Sequence, residues 1–192
     1  GYKIMRIISG IFKGKKILEP RDLKTRPLKD RVKESIFNII NHSNKFSIEL
    51  KNSHILDLFS GVGSFGLECL SRGAKYVVFF ENYNGVLPIL KKNLSNIKPL
   101  QNFEIIEKNI YNDLSLSNKN NKFDIIFLDP PYKDKNLELV LNKIKKEEIL
   151  NSNGIIIMHR KKGDTEKIIP GYQVIEEKNY GLAEIIFLNF SK

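Results

Sequence analysis

The sequence predicts an α/β fold built on a doubly wound, mostly parallel sheet, and two stretches carry that prediction. The first is Phe123-Asp124-Ile125-Ile126-Phe127-Leu128, a strongly apolar run that ends abruptly in Asp129-Pro130-Pro131-Tyr132. Runs of that length and β-branched content belong to strands buried on both faces. Two successive prolines cannot continue a ladder, so the strand stops and presents Asp129 and Tyr132 at its tip. The second stretch is Ile55-Leu56-Asp57-Leu58-Phe59, which breaks into Ser60-Gly61-Val62-Gly63-Ser64-Phe65-Gly66. Leu67 to Arg72 follow at helical spacing and stop at Gly73. Strand, glycine-rich turn and helix is the arrangement with which such sheets hold nucleotide cofactors.

The other elements follow in order. Lys29 to Asn41 places Val32, Ile36, Phe37, Ile39 and Ile40 at helical spacing, with Arg31, Lys33 and Glu34 on the same helix. Tyr76-Val77-Val78-Phe79-Phe80 is a third apolar run and ends at Glu81, the usual place for an acid that binds ribose hydroxyls. Phe103 to Ile106 reads as a shorter strand, followed by Glu107-Lys108-Asn109. Asn109 suits either an adenine amine or an ordinary turn. Asn112 to Lys122 is a polar loop, Leu137 to Ile149 a helix with a lysine-rich face, and Ile155 to His159 a fifth buried strand. Tyr172 to Tyr180 and Ala183 to Asn189 alternate around Gly181 as a closing antiparallel hairpin. The expectation is therefore seven strands in one domain over residues 45–192, preceded by a small basic extension and helix over 1–44.

Topology turns this order into proximity. In open α/β sheets the chain winds outward from the first strand and then returns, so the fourth strand lies beside the first. The glycine loop and the Asp-Pro-Pro-Tyr tip then face each other across one crevice. Gly61-x-Gly63-x-x-Gly66 also matches the dinucleotide fingerprint, so a nicotinamide cofactor has to be weighed. Two features oppose it. Asp57 sits where it can accept from a cationic amino group near the loop, and the tetrapeptide has no role in hydride transfer. A methionine-derived donor, S-adenosylmethionine, suits that acid better. The expected cofactor contacts are Asp57, Phe59, Gly61, Gly63, Glu81, Asn82, Asn109 and Ile110. The expected catalytic group is Asp129, Pro130, Pro131 and Tyr132: Asp129 and the Pro130 carbonyl accept from an amine while Tyr132 stacks on a base.

Composition narrows the class. The chain has 192 residues, 41% of them hydrophobic, enough for one α/β core with a short appendage. A single cysteine excludes an internal disulfide, and the three histidines lie far apart, without metal spacing. Each histidine reads as structural. No stretch approaches the roughly 20 apolar residues of a membrane span, and no signal peptide is seen, so a cytoplasmic protein is expected. Charge is localised: residues 1–34 hold eleven Lys or Arg against four acids, +7 of a total of +10. A basic patch beside a crevice reads as a grip on phosphates.

The chain resembles the bacterial methyltransferases that modify a guanine exocyclic amine in small-subunit (16S) ribosomal RNA. The resemblance rests on Leu56 to Glu68, on Leu128-Asp129-Pro130-Pro131-Tyr132, and on amino-terminal blocks. Those blocks are Arg6 to Gly10, Lys13-Gly14-Lys15-Lys16 and Thr25-Arg26-Pro27-Leu28-Lys29-Asp30-Arg31-Val32-Lys33-Glu34. It runs from about Arg6 to the end. It implies a Rossmann-like S-adenosylmethionine-dependent fold, guanine as the base, and an RNA surface formed by Arg6, Lys13, Lys15, Lys16, Arg26, Asp30, Arg31 and Lys33. Arg26, Asp30 and Arg31 would then lie near the reacting groups. It also implies 16S ribosomal RNA or the assembling small subunit as partner, with no metal, no membrane and a monomeric state. Two positions depart from the family pattern: Tyr83 where a second acid is common, and Asn109 where many methyltransferases carry aspartate. The alternative reading is an amine methyltransferase acting on DNA adenine or another RNA base.

Overall fold

The computed structural model describes residues 5–22, 27–112, 122–131, 136–162 and 170–191. Eleven elements succeed one another: α1 (Asp30–His42), β1 (His54–Leu58), α2 (Ser64–Ser71), β2 (Tyr76–Phe80), α3 (Leu87–Ser95), β3 (Phe103–Ile106), β4 (Phe123–Leu128), α4 (Leu137–Lys146), β5 (Leu150–Lys161), β6 (Tyr172–Tyr180) and β7 (Ala183–Phe190). The strands form one sheet in the order β3-β2-β1-β4-β5-β7-β6. The first five run parallel, and β7 pairs antiparallel with both β5 and β6. The mostly parallel sheet with its closing hairpin is thus as expected.

Alternation along the strands splits the apolar side chains between the two faces. Ile55, Val77, Phe79, Ile125, Phe127, Ile155 and Ile157 pack with α1, α2 and α3. Leu56, Leu58, Val78, Phe80, Ile126, Leu128 and Ile156 pack with Leu137, Val140, Leu141 and Ile144 of α4. Parallel strands must be covered on both faces, and these helices do so.

Three elements differ from the sequence expectation. Helix α3 was not anticipated; Leu87, Leu90 and Leu94 give it a buried stripe, and its buried Asn93 serves as a staple. Asn93 accepts from the Leu18 amide (2.9 Å) and donates to the Val62 carbonyl (2.9 Å), joining the amino-terminal segment to the glycine loop. Strand β5 begins at Leu150 rather than Ile155, because Phe123 pairs with Leu150 and Ile125 with Ile155. Asn151 to Gly154 are thereby absorbed in an irregularity that polar residues conceal. Helix α4 ends at Lys146, short of Ile149, where Glu148 takes φ +52°.

The amino-terminal segment folds back as a hairpin, with Arg6 bridged to Lys16. Met5, Ile7 and Ile17 point inward, and Arg6, Lys13, Lys15 and Lys16 remain exposed. The hairpin docks on α2 through its own backbone. Glu68 accepts from the Ile8 amide (2.8 Å) and the Ser9 amide (3.0 Å), and Ser71 accepts from the amides of Ile11 and Phe12. Contact at Gly10 is so close that a Cβ there would stand 2.0 Å from the Ser71 carbonyl oxygen.

Lys33 corrects an expectation. The family resemblance implies that it belongs to the RNA surface, yet its side chain is fully buried, 3.2 Å from Glu68. Its Nζ also donates to the Arg6 carbonyl and the Ser64 hydroxyl. Helical phase explains the reversal: Lys33 shares the inward face with Val32, Ile36 and Phe37. Burial lowers its pKa, and the Glu68 carboxylate opposes that shift.

Candidate active site

Pairing of β1 with β4 aligns Leu58 with Leu128, so the chain leaves both strands at adjacent points. Beyond those points the two predicted loop tips meet. Asp57, Phe59, Gly61, Glu81, Asn82, Asn109, Ile110, Asp129, Pro130 and Pro131 all line one cleft of about 410 Å³. Gly63 does not line it. Its φ of +89° at the start of α2 turns the chain, and a Cβ there would stand 2.6 Å from Leu90. Tyr132 and Arg26 lie outside the described residues.

Asp57 is buried at the floor. One carboxylate oxygen accepts from the Gly66 amide (3.1 Å), which tethers α2 to β1. The other is buried without a hydrogen-bond partner. Burial drives the pKa of Asp57 well up; the Gly66 amide opposes the rise, while the nearby Asp129 and Glu81 carboxylates add to it. A buried acceptor with no donor, in a site rich in carboxylates, calls for a cationic donor from outside the protein.

Glu81 ties the rim together. It accepts from the Gly61 amide (2.8 Å) and from the amides of Asn82 and Tyr83 (3.1 Å each). The glycine loop is thus clamped to the end of β2 by a carboxylate that also faces the cleft. Asn109 accepts from the Tyr111 amide at 2.9 Å, a turn that presents Ile110 and Tyr111 as walls. The Tyr111 ring lies 6.0 Å from that of Phe59.

Several lining residues were not legible beforehand. Tyr83, which replaces the second acid, lines the cleft and donates to Asp22 of the amino-terminal segment. Leu28 of that segment also lines it, whereas Asp30 and Arg31 are not among its walls. His159, which the sequence reads as structural, is not among the walls, and its Nδ1 stands 3.0 Å from the Asp129 carboxylate. Tyr83 follows the tip of a parallel strand, where residues face the crevice, whereas Leu28 and His159 carry no such local signal.

Among the described residues no group of His, Cys, Asp and Glu is arranged to hold a metal ion, and no helix is long and apolar enough to cross a membrane.

The family model described as "Conserved hypothetical protein 95" matches residues 5–189. Ribosomal RNA small subunit methyltransferase D of Haemophilus influenzae is 33% identical over 180 residues, covering 93% of this chain and 90% of that one. The chain belongs to the ribosomal RNA small subunit methyltransferase D family. A solved structure of a candidate methyltransferase from Escherichia coli superposes with a TM-score of 0.82 at 26% identity, covering 99% of both chains. A candidate methylase structure from Haemophilus influenzae gives 0.74 at 32% identity, over 97% of this chain and 98% of that one. Family membership extends over the basic hairpin as well as the sheet, since the match begins at residue 5.

Proposed function

We propose that this protein transfers a methyl group from S-adenosylmethionine to the exocyclic amine of a guanine in small-subunit ribosomal RNA. One observation carries the reading: the glycine loop and the Asp129-Pro130-Pro131 tip open onto the same cleft. Family membership supports the RNA substrate, and the sequence resemblance supports guanine.

The residues present fit the donor. Asp57 has an unpartnered oxygen that would take the amino group, Glu81 would hold the ribose, and Ile110, Phe59 and Tyr111, which line the same cleft, would hold the adenine. When bound, S-adenosylmethionine supplies an electrophilic methyl group on a sulfonium, a leaving group that calls for no Lewis acid. The acceptor nitrogen is a weak nucleophile because its lone pair is delocalised into the ring. Asp129 and the Pro130 carbonyl accept from its hydrogens, which aims the lone pair and favours the positive charge that builds there. Pro130 is buried and stiffens the tip. Tyr132 stacks on the base. Correct placement at about 3–3.5 Å supplies a large share of the barrier reduction. The proton then leaves to water. The base has to be unstacked to enter, which favours an RNA loop over a duplex.

The exposed cations of the hairpin, Arg6, Lys13, Lys15 and Lys16, grip phosphates, joined by Arg26 and Arg31. The protein acts as a monomer in the cytoplasm, on naked RNA or an assembling small subunit. Labelled methyl transfer to ribosomal RNA, DNA and protein, followed by mass spectrometry of digested RNA, tests the reading. Label confined to a guanine N2 is expected. Label on DNA adenine or another base amine would favour the alternative, which the same tip chemistry serves.

Two further results are expected. Lys15→Gln with Lys16→Gln should flatten the plot of log affinity for RNA against log salt by about 1.5, since each phosphate contact contributes about 0.7–0.9. An unchanged slope would move the RNA surface elsewhere. Asp57→Asn should weaken donor binding by about tenfold or more without lowering Tm, because it removes a buried acid that the folded protein disfavours ionised. In the wild type, Asp57 stabilises the fold fully below the ordinary carboxylate range and loses that contribution as pH rises through its raised pKa. Donor affinity runs the other way, rising with pH as Asp57 ionises. Calorimetry across pH reads both; a donor affinity indifferent to pH and to Asp57→Asn would reject the assignment.

A further inference from the structure

We infer that His159 is a positioning residue for the transfer, holding the Asp129 carboxylate in the orientation that receives the substrate amine. This rests on the function proposed above. Asp129 is the first residue beyond β4, and the two prolines after it bring no amide hydrogen to bind its side chain. A donor for that carboxylate comes from the neighbouring strand. Leu128 pairs with Met158, so Asp129 and His159 occupy the next rung of adjacent parallel strands. His159 Nδ1 stands 3.0 Å from one Asp129 oxygen, with the two side chains 5% and 13% exposed.

An ionised carboxylate can only accept, so the proton of this bond sits on Nδ1 and the histidine donates. The bond restrains rotation about Cβ–Cγ of Asp129 and thereby sets where its remaining lone pairs point. That orientation matters because the amine must be held in line with the methyl carbon, and a 1 Å misplacement costs about 10²-fold in rate. Packing alone does not ask for an imidazole here. Ile157 and Met158 precede it, its cross-strand partner on β7 is Ile185, and all three are apolar and buried. A buried imidazole is costly unless bonded, and Asp129 supplies that bond.

The test compares His159→Leu with His159→Asn, whose amide nitrogen is the same number of bonds from Cα as Nδ1. His159→Leu should lower kcat roughly 30–100-fold, with KM and Kd for S-adenosylmethionine within about twofold of wild type. His159→Asn should recover most of that loss. Nitrogen-15 NMR of the wild type should show the Nδ1–H tautomer at His159, lost in Asp129→Ala. Equal loss in both His159 variants, an unimpaired His159→Leu, or a donor Kd that moves with kcat would overturn the inference while the wild type stays active. A wild type inert on 16S ribosomal RNA would overturn the proposed substrate first, and this inference with it.

Discussion

Asp129→Ala should reduce methyl transfer by about 10³-fold while S-adenosylmethionine binds as well as before. The effect is large because the side chain would lose two functions together. In the proposed reaction it accepts from the amine hydrogens, and its negative charge favours the cationic nitrogen of the transition state. Removing one charge-stabilising group from a preorganised site costs about 10²–10³-fold on its own. Loss of aim adds to that. The donor contacts proposed above lie elsewhere in the cleft, which Asp57, Gly61 and Glu81 also line. One effect complicates the comparison in a useful direction: Asp129 helps to raise the pKa of Asp57, so removing it lets Asp57 ionise more readily. Donor binding should hold or tighten slightly. Single-turnover methylation and calorimetry on the same preparation check both halves, and a parallel loss of binding and rate would place Asp129 on the donor side.

Glu68→Ala should be the most destabilising single change outside the sheet. Four donors converge on this carboxylate: the amides of Ile8 and Ser9, the Lys33 ammonium and the Arg72 guanidinium at 2.8 Å. Glu68 and Lys33 have no exposed side-chain surface. Truncating one member of a buried ion pair leaves the other charge uncompensated, at a cost of about 3–5 kcal/mol. For a chain of this size that corresponds to a fall in Tm of roughly 6–20 °C. The hairpin should also loosen, so hydrogen exchange at Ile8 and Ser9 should accelerate more than exchange in β1. A Tm within about 2 °C of wild type would show that the cluster contributes little.

The sheet was readable because each buried strand is a short apolar run with a sharp end. Asp57, Glu81 and Asp129 were readable for the same reason, since polar residues at the tips of such runs have few structural tasks. What escaped detection depends on contacts distant in sequence. Nothing near Lys33 announces that Glu68, 35 positions on, will share its interior. Helical phase alone held the clue, because Lys33 falls between Val32 and Ile36 on the apolar face. His159 was similarly silent until β5 was seated beside β4, and Tyr83 until Asp22 reached it. Helix α3 was hidden by Pro88 and by polar residues at its outward positions, although proline is well tolerated in a first helical turn.

The hydrogen bonds that seat the amino-terminal hairpin on α2 come from main-chain amides of Ile8, Ser9, Ile11 and Phe12, with Gly10 pressed against the helix end and Met5, Ile7 and Ile17 buried beneath. Such an attachment is blind to the identity of outward side chains. Exchange of the exposed Arg6, Lys13, Lys15 and Lys16 would therefore leave those bonds in place, and the grip on RNA proposed for them could be retuned towards a different shape. On that proposal, anchoring and recognition fall to separate atoms of one ribbon, so selection could act on either alone.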